Sequence, residues 1–95
     1  MGNDIKNRLA EATRELAPGS LWKYFDGGNY RIRSLELCAT SYEETHQASI
    51  VVVYEQLYQG SFPEGQVWVR SLDDFRSDVQ KDGKKIPKFL KVSEQ

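Results

Sequence analysis

Ser49-Ile50-Val51-Val52-Val53-Tyr54-Glu55-Gln56-Leu57-Tyr58 is the stretch that decides the fold. Ile50 to Tyr54 is an unbroken apolar run, and its branched valines favour an extended, pleated chain over a helix. A short apolar run bounded by polar residues and breakers reads as a strand. Because both parities are apolar, the strand is expected at the centre of a sheet and covered on both faces. Downstream, Gln59 to Gly65 carries Gly60, Pro63 and Gly65 and reads as a loop, after which Gln66-Val67-Trp68-Val69-Arg70 alternates as a further strand. Upstream, Tyr30 to Ala39 is also strand-like but changes parity. Tyr30 and Ile32 share one face, whereas Leu35, Leu37 and Ala39 fall on the other. A strand that serves one core can do this only with an extra residue, so a β-bulge is expected near Arg33-Ser34.

Further out, Leu21 to Phe25 is a short strand. It is joined to Tyr30 by Asp26-Gly27-Gly28-Asn29, residues that tolerate positive φ. Ile5, Leu9, Ala12 and Leu16 form one apolar stripe of an amphipathic helix over 3–17, with Asn3 as its cap and Pro18-Gly19 as its stop. The stripe is expected to close the core, the alternative being a dimer seam through this helix. Residues 40–48 are polar and read as a loop. Leu72, Phe75 and Val79 suggest a short helix near 72–79, with Asp73 and Asp74 at its positive end. Asp82-Gly83 is a turn signal, and Ile86 to Val92 is a last strand with Pro87 at its start or on an edge. The expectation is a mainly β (α+β) fold, a small SH3-like bent sheet or barrel over 18–95 with an N-terminal helical extension over 1–17.

The chain has 95 residues, one domain's worth, and eleven aromatic residues with which to build a core. A formal net charge of −1 disfavours a long nucleic-acid footprint, which needs a basic surface. Cys38 is the single cysteine, so no internal disulfide forms, and a reducing, cytoplasmic setting is expected. No apolar stretch is long enough to span a membrane, and no secretory leader is legible.

Tyr24-Phe25-Asp26-Gly27 with Tyr30, Val52 to Tyr58, Trp68-Val69-Arg70, then Leu72, Phe75, Asp82-Gly83, Pro87 and Phe89 form a spaced pattern. In these pieces residues 18–92 resemble a bacterial family catalogued as domain of unknown function 1653. The resemblance implies a compact β-rich domain and specifies no activity. The chain departs from the family pattern at Ser71, where members usually carry Pro, at Lys88, where they usually carry Arg, and at Lys23-Tyr24, where they tend to carry a His.

The candidate chemistry is sparse. His46 is the only histidine and lies in a polar segment, and no nucleophile is adjacent to it in sequence. One His and one Cys cannot complete a tetrahedral zinc site, and no glycine-rich phosphate loop is present. Neither catalytic residues nor a cofactor are expected. Cys38 reads as a buried, inert thiol. Five lysines between 81 and 91 read as protection of an exposed edge. Tyr30, Tyr54, Tyr58, Trp68 and Arg70 are the informative set. Trp68 and Arg70 share a strand face, and Glu55 is within cross-strand reach of Arg70 on this reading. As core they need no ligand; as a groove they would hold a peptide or a small anionic molecule, with Arg70 on a carboxylate or phosphate. The leading reading is a non-catalytic binding or interaction module. The alternatives are a nucleic-acid-associated domain using Arg31, Arg33, Arg70 and the lysine-rich end, and a small enzyme with an unrecognised site.

Overall fold

A computed structural model describes residues 2–93. The elements run α1 (Gly2–Glu15), β1 (Leu21–Tyr24), β2 (Asn29–Cys38), α2 (Ala39–Thr45), β3 (Ser49–Gln56), β4 (Val67–Ser71), α3 (Leu72–Phe75), β5 (Asp78–Lys81), β6 (Lys84–Pro87) and β7 (Phe89–Ser93). Five strands form one antiparallel sheet in the order β4-β3-β2-β1-β7, and β5 and β6 form a separate ribbon. The fold is mainly β with a bent sheet, and it is not a closed barrel, because β4 and β7 remain as edges. No described helix is long and apolar enough to cross a membrane.

The expected bulge is present. Ile32 opposes Tyr54 and Ser34 opposes Val53, leaving Arg33 as the extra residue. It carries Ile32 and Leu35 to the same buried face despite their opposite parity. The stripe on α1 also closes the core. Ala12 and Leu16 are each 1% exposed, and Ile5 and Leu9 pack against the cluster. At the helix end, Gly19 adopts φ 91° and its N–H donates to Ile32 O at 2.8 Å, while Ile32 N–H donates to Ser20 O. Ser20, fully buried, accepts from the Trp22 indole at 2.9 Å and donates to Ala17 O, so no polar atom there lacks a partner. Asn3, expected as the cap, lies inside the helix, and its side chain is outside the described residues.

The core on the concave face is aromatic. Phe75 and Phe89 stack with centroids 4.0 Å apart, Trp22 meets Phe75 edge-on at 5.5 Å, and Tyr54 meets both phenylalanines. Each such pair contributes roughly 0.5–1.5 kcal/mol beyond its area.

Several expectations are corrected. Residues 39–45 are helical rather than loop; α2 buries no residue, so it shows no apolar period to read. The helix after β4 has only four residues, and Val79 lies in β5, where it opposes Ile86. The last strand is broken at Lys88 into β6 and β7. β3 is an interior strand, next to the edge strand β4 while β2 takes the centre, and only one of its faces is covered: Ile50, Val52 and Tyr54 are buried, while Val51 and Val53 are half-buried on the convex face. Cys38 opposes Ser49 on that convex face and is half-exposed rather than buried, because the bulge inverts its parity.

Candidate functional site

β3 and β4 place Tyr54 opposite Trp68 and Val52 opposite Arg70, so Trp68 and Arg70 share the concave face as their spacing requires. Tyr54 is the floor, 4% exposed, and Arg70 Nε donates to its hydroxyl at 3.1 Å. Tyr30, from β2, meets Tyr54 at 5.3 Å and Tyr58 at 5.7 Å, and the two hydroxyls of Tyr30 and Tyr58 are hydrogen-bonded at 2.7 Å. The five residues singled out from sequence therefore adjoin one another. Tyr54 is core, Tyr30, Trp68 and Arg70 are half-buried, and Tyr58 is exposed. Tyr58 stands on the loop beyond β3, not on the strand. Burial, the hydrogen bond shared with Tyr58 and the neighbouring tyrosines push the Tyr30 phenol well above its ordinary value. It stays a neutral hydroxyl at any physiological pH.

Gln56, Phe62, Asp74 and Lys88 complete the arrangement. Gln56, 3% exposed, donates from Nε2 to Tyr58 O at 2.9 Å and Phe62 O at 2.8 Å, and its Oε1 accepts from the Trp68 indole at 3.1 Å. One buried amide thus fixes the loop that carries Tyr58 and Phe62 and also the rotamer of Trp68. Phe62 in turn meets Trp68 edge-on at 4.8 Å. Asp74, in α3, accepts from Arg70 Nη1 and from Lys88 Nζ at 2.8 Å. The guanidinium of Arg70 lies 5.4 Å from the Phe89 centroid and 5.9 Å from that of Tyr24.

The electrostatics follow from this shared carboxylate. Lys88 first, then Arg70, hold the Asp74 carboxyl below its usual range. Burial alone would lower the Arg70 guanidinium, but hydrogen bonds to Asp74 and Tyr54 outweigh it and the net shift is upward. Two cations face one anion, so the cluster keeps one positive charge. Arg70 Nη2 has no protein partner among the described residues.

Sequence reasoning read Asp74 as helix-end charge and Lys88 as edge protection. Lys88 was marked by its family position, but nothing in the sequence pairs it with Asp74. Ser71, another departure from the family pattern, caps α3 by accepting from Asp74 N–H at 3.1 Å, so two of the three departures touch Asp74. The suggested contact of Glu55 with Arg70 does not form. Glu55 lies on the convex face with Arg33 at 3.4 Å and Arg31 at 4.0 Å. Arg31 and Arg33 are thus on the side of the sheet opposite Arg70.

An open cleft of about 700 Å³ lies elsewhere, between α1, α2 and the start of α3, with Arg8, Tyr42, His46 and Asp73 on its walls. His46 closes α2 in a left-handed conformation, and the hydrogen bonds along this cleft link Ser41, Thr45, Gln47 and Ser49. The groups with upshifted tyrosine and downshifted carboxyl gather instead around Arg70.

A family model described as Protein of unknown function (DUF1653) matches residues 20–91, about three-quarters of the chain, and the chain belongs to that family. No curated protein and no solved structure matches it.

Proposed function

We propose that this member of the family is a non-catalytic binding module for a ligand with an anionic group, a short peptide or a small molecule. Its anionic group sits at Arg70 and Lys88, and its body lies against Tyr58, Trp68 and Tyr30. The supporting observation is that Arg70 and Lys88 converge on the single carboxylate of Asp74, leaving a net positive charge at the edge of an aromatic rim. A guanidinium with one free Nη is suited to a planar carboxylate or a phosphate, and aromatic faces beside it add area at little entropic cost. Among the described residues no hydrogen-bonded nucleophile and base accompany these groups, which favours binding over catalysis. The unpaired thiol supports a reducing cellular compartment.

The test is an amide and indole NMR titration with aromatic carboxylates, mononucleotides, short oligonucleotides and a peptide pool, each at two salt concentrations. Saturable shifts at Tyr58, the Trp68 indole and Arg70 that weaken in Arg70→Lys support the proposal. Oligonucleotide shifts that spread over Arg31 and Arg33 and vanish with salt support the nucleic-acid reading instead. No saturable shift at the rim with any of these ligands at millimolar concentration removes both.

A further inference from the structure

The sheet has two edges, and they are built differently. The β7 side carries Lys91, and the neighbouring ribbon carries Lys81, Lys84, Lys85 and Pro87, the residues that deter strand-to-strand association. β4, Val67-Trp68-Val69-Arg70-Ser71, has neither Lys nor Pro, and Val67 and Val69 are 42% and 62% exposed. Its backbone parity can be assigned. Gln56 N–H donates to Gln66 O at 2.9 Å, and the antiparallel register then directs the main-chain groups of Trp68 and Arg70 toward β3 as well. Those of Val67, Val69 and Ser71 point to the free edge, which no described strand occupies.

We propose that this edge pairs with the same edge of a second copy of the chain, antiparallel and centred on Val69, joining two five-stranded sheets into one. In that register Val69 faces Val69 of the second copy as a hydrogen-bonded pair, and Val67 faces Ser71 of the second copy. Trp68 then faces Arg70 of the second copy in the closer, non-hydrogen-bonded position, on the concave face of both sheets. A guanidinium opposite an indole is electrostatically complementary, and the two-fold axis supplies the contact twice. The other registers that keep the same backbone parity are poorer. A slip of two residues one way sets Arg70 against Arg70, and a slip the other way removes Trp68 from Arg70. A net charge of −1 per copy gives little long-range repulsion. An edge of five residues is small beside the roughly 1,000 Å² of a stable interface, so the pairing is weak and concentration-dependent. It is independent of the ligand reading, although it brings a second tryptophan to Arg70.

The experiment is sedimentation of the full chain from about 10 μM to about 1 mM, with amide exchange measured at both ends. Val69→Lys sets two like charges opposite each other. Val69→Pro removes only the outward N–H and leaves the ladder to β3 intact. The wild type is expected to rise from 10.9 kDa toward twice that mass, with Val67, Val69 and Ser71 amides gaining protection. Both variants are expected to stay monomeric with unchanged circular dichroism. A wild type that is monomeric at 1 mM, including one whose β4 amides respond only to added peptide, overturns the proposal. So does a dimer that Val69→Lys leaves intact.

Discussion

Gln56 is the residue whose replacement tests the architecture of the aromatic rim most directly. Its amide makes three hydrogen bonds, two to carbonyls of the loop beyond β3 and one from the Trp68 indole. Gln56→Leu keeps the volume and removes all three. At roughly 1 kcal/mol net per bond the loss is about 3 kcal/mol, and the buried methyls return about 1 kcal/mol of it. The expected destabilisation is about 2 kcal/mol, which for a domain of this size lowers Tm by roughly 8–16 °C. Urea unfolding measures the free energy, and amide spectra report whether Tyr58 and Phe62 lose their fixed positions. Gln56→Glu supplies the sign. A carboxyl there faces two carbonyl oxygens and is buried, so its folded pKa rises above the unfolded value of about 4.3. The stability of this variant is present below the unfolded pKa and is lost as pH rises through the folded one. A Gln56→Leu protein within about 0.5 kcal/mol of wild type, with unchanged loop amides, would refute the assignment of the buried amide as the support of the rim.

Gly28 has φ +80°, and a Cβ there would lie 2.7 Å from Tyr58 Cε1, whereas Gly27, at φ +101°, has no neighbour within 4 Å. Gly28→Ala is therefore expected to cost about 1–3 kcal/mol and to displace the Tyr58 ring; Gly27→Ala carries the backbone strain alone, and the difference in Tyr58 side-chain shifts separates the two. Asp74 is held below its ordinary pKa by Lys88 and Arg70, so its contribution to stability is present above the unfolded pKa and lost as pH falls through the lower folded one. Asp74→Asn should flatten the acid limb of a stability-against-pH curve, and an unchanged limb would show the ion pairs to be without consequence. Leu16, 1% exposed, ties α1 to the β core, and Leu16→Ala should cost about 2–5 kcal/mol in a single cooperative melt; a melt that leaves the sheet unaffected would separate helix from core.

What the sequence made legible was set by parity. The clash in parity between Ile32 and Leu35 placed the bulge near Arg33-Ser34, because a strand with one buried face has no other solution, and the register makes Arg33 the extra residue. The α1 stripe was legible for the same kind of reason, with period 3.6 in place of two. Elements that bury nothing on a regular face were not legible. α2 has no buried residue, and β5 alternates too briefly to compete with the helical spacing of Leu72, Phe75 and Val79. Cys38 follows the bulge, so its parity is inverted along with that of Leu35, and it faces the convex side rather than the core.

The site divides along the same line. Trp68, Arg70 and Tyr54 were legible together, since adjacent strands and a two-residue spacing are local facts. Lys88 and Phe89 were not, because they precede β7 or begin it, and β7 is the edge of the sheet farthest from β4 in strand order. Yet Arg70 of β4 lies 5.4 Å from the Phe89 ring, and Asp74, one short helix beyond β4, reaches Lys88 at 2.8 Å. The sheet bends far enough for side chains from opposite edges to meet across its concave face, while its backbone stays open. That curvature is what turns Arg70 from a surface charge on an edge strand into half of a cation pair beside four tyrosines and a tryptophan. It depends on the bulge at Arg33 in β2 and on the register shift between Leu21 and Trp22 where β1 meets β7. A single extra residue in β2 is read in the sequence as an anomaly of parity; in the fold it helps bring the two ends of the site together.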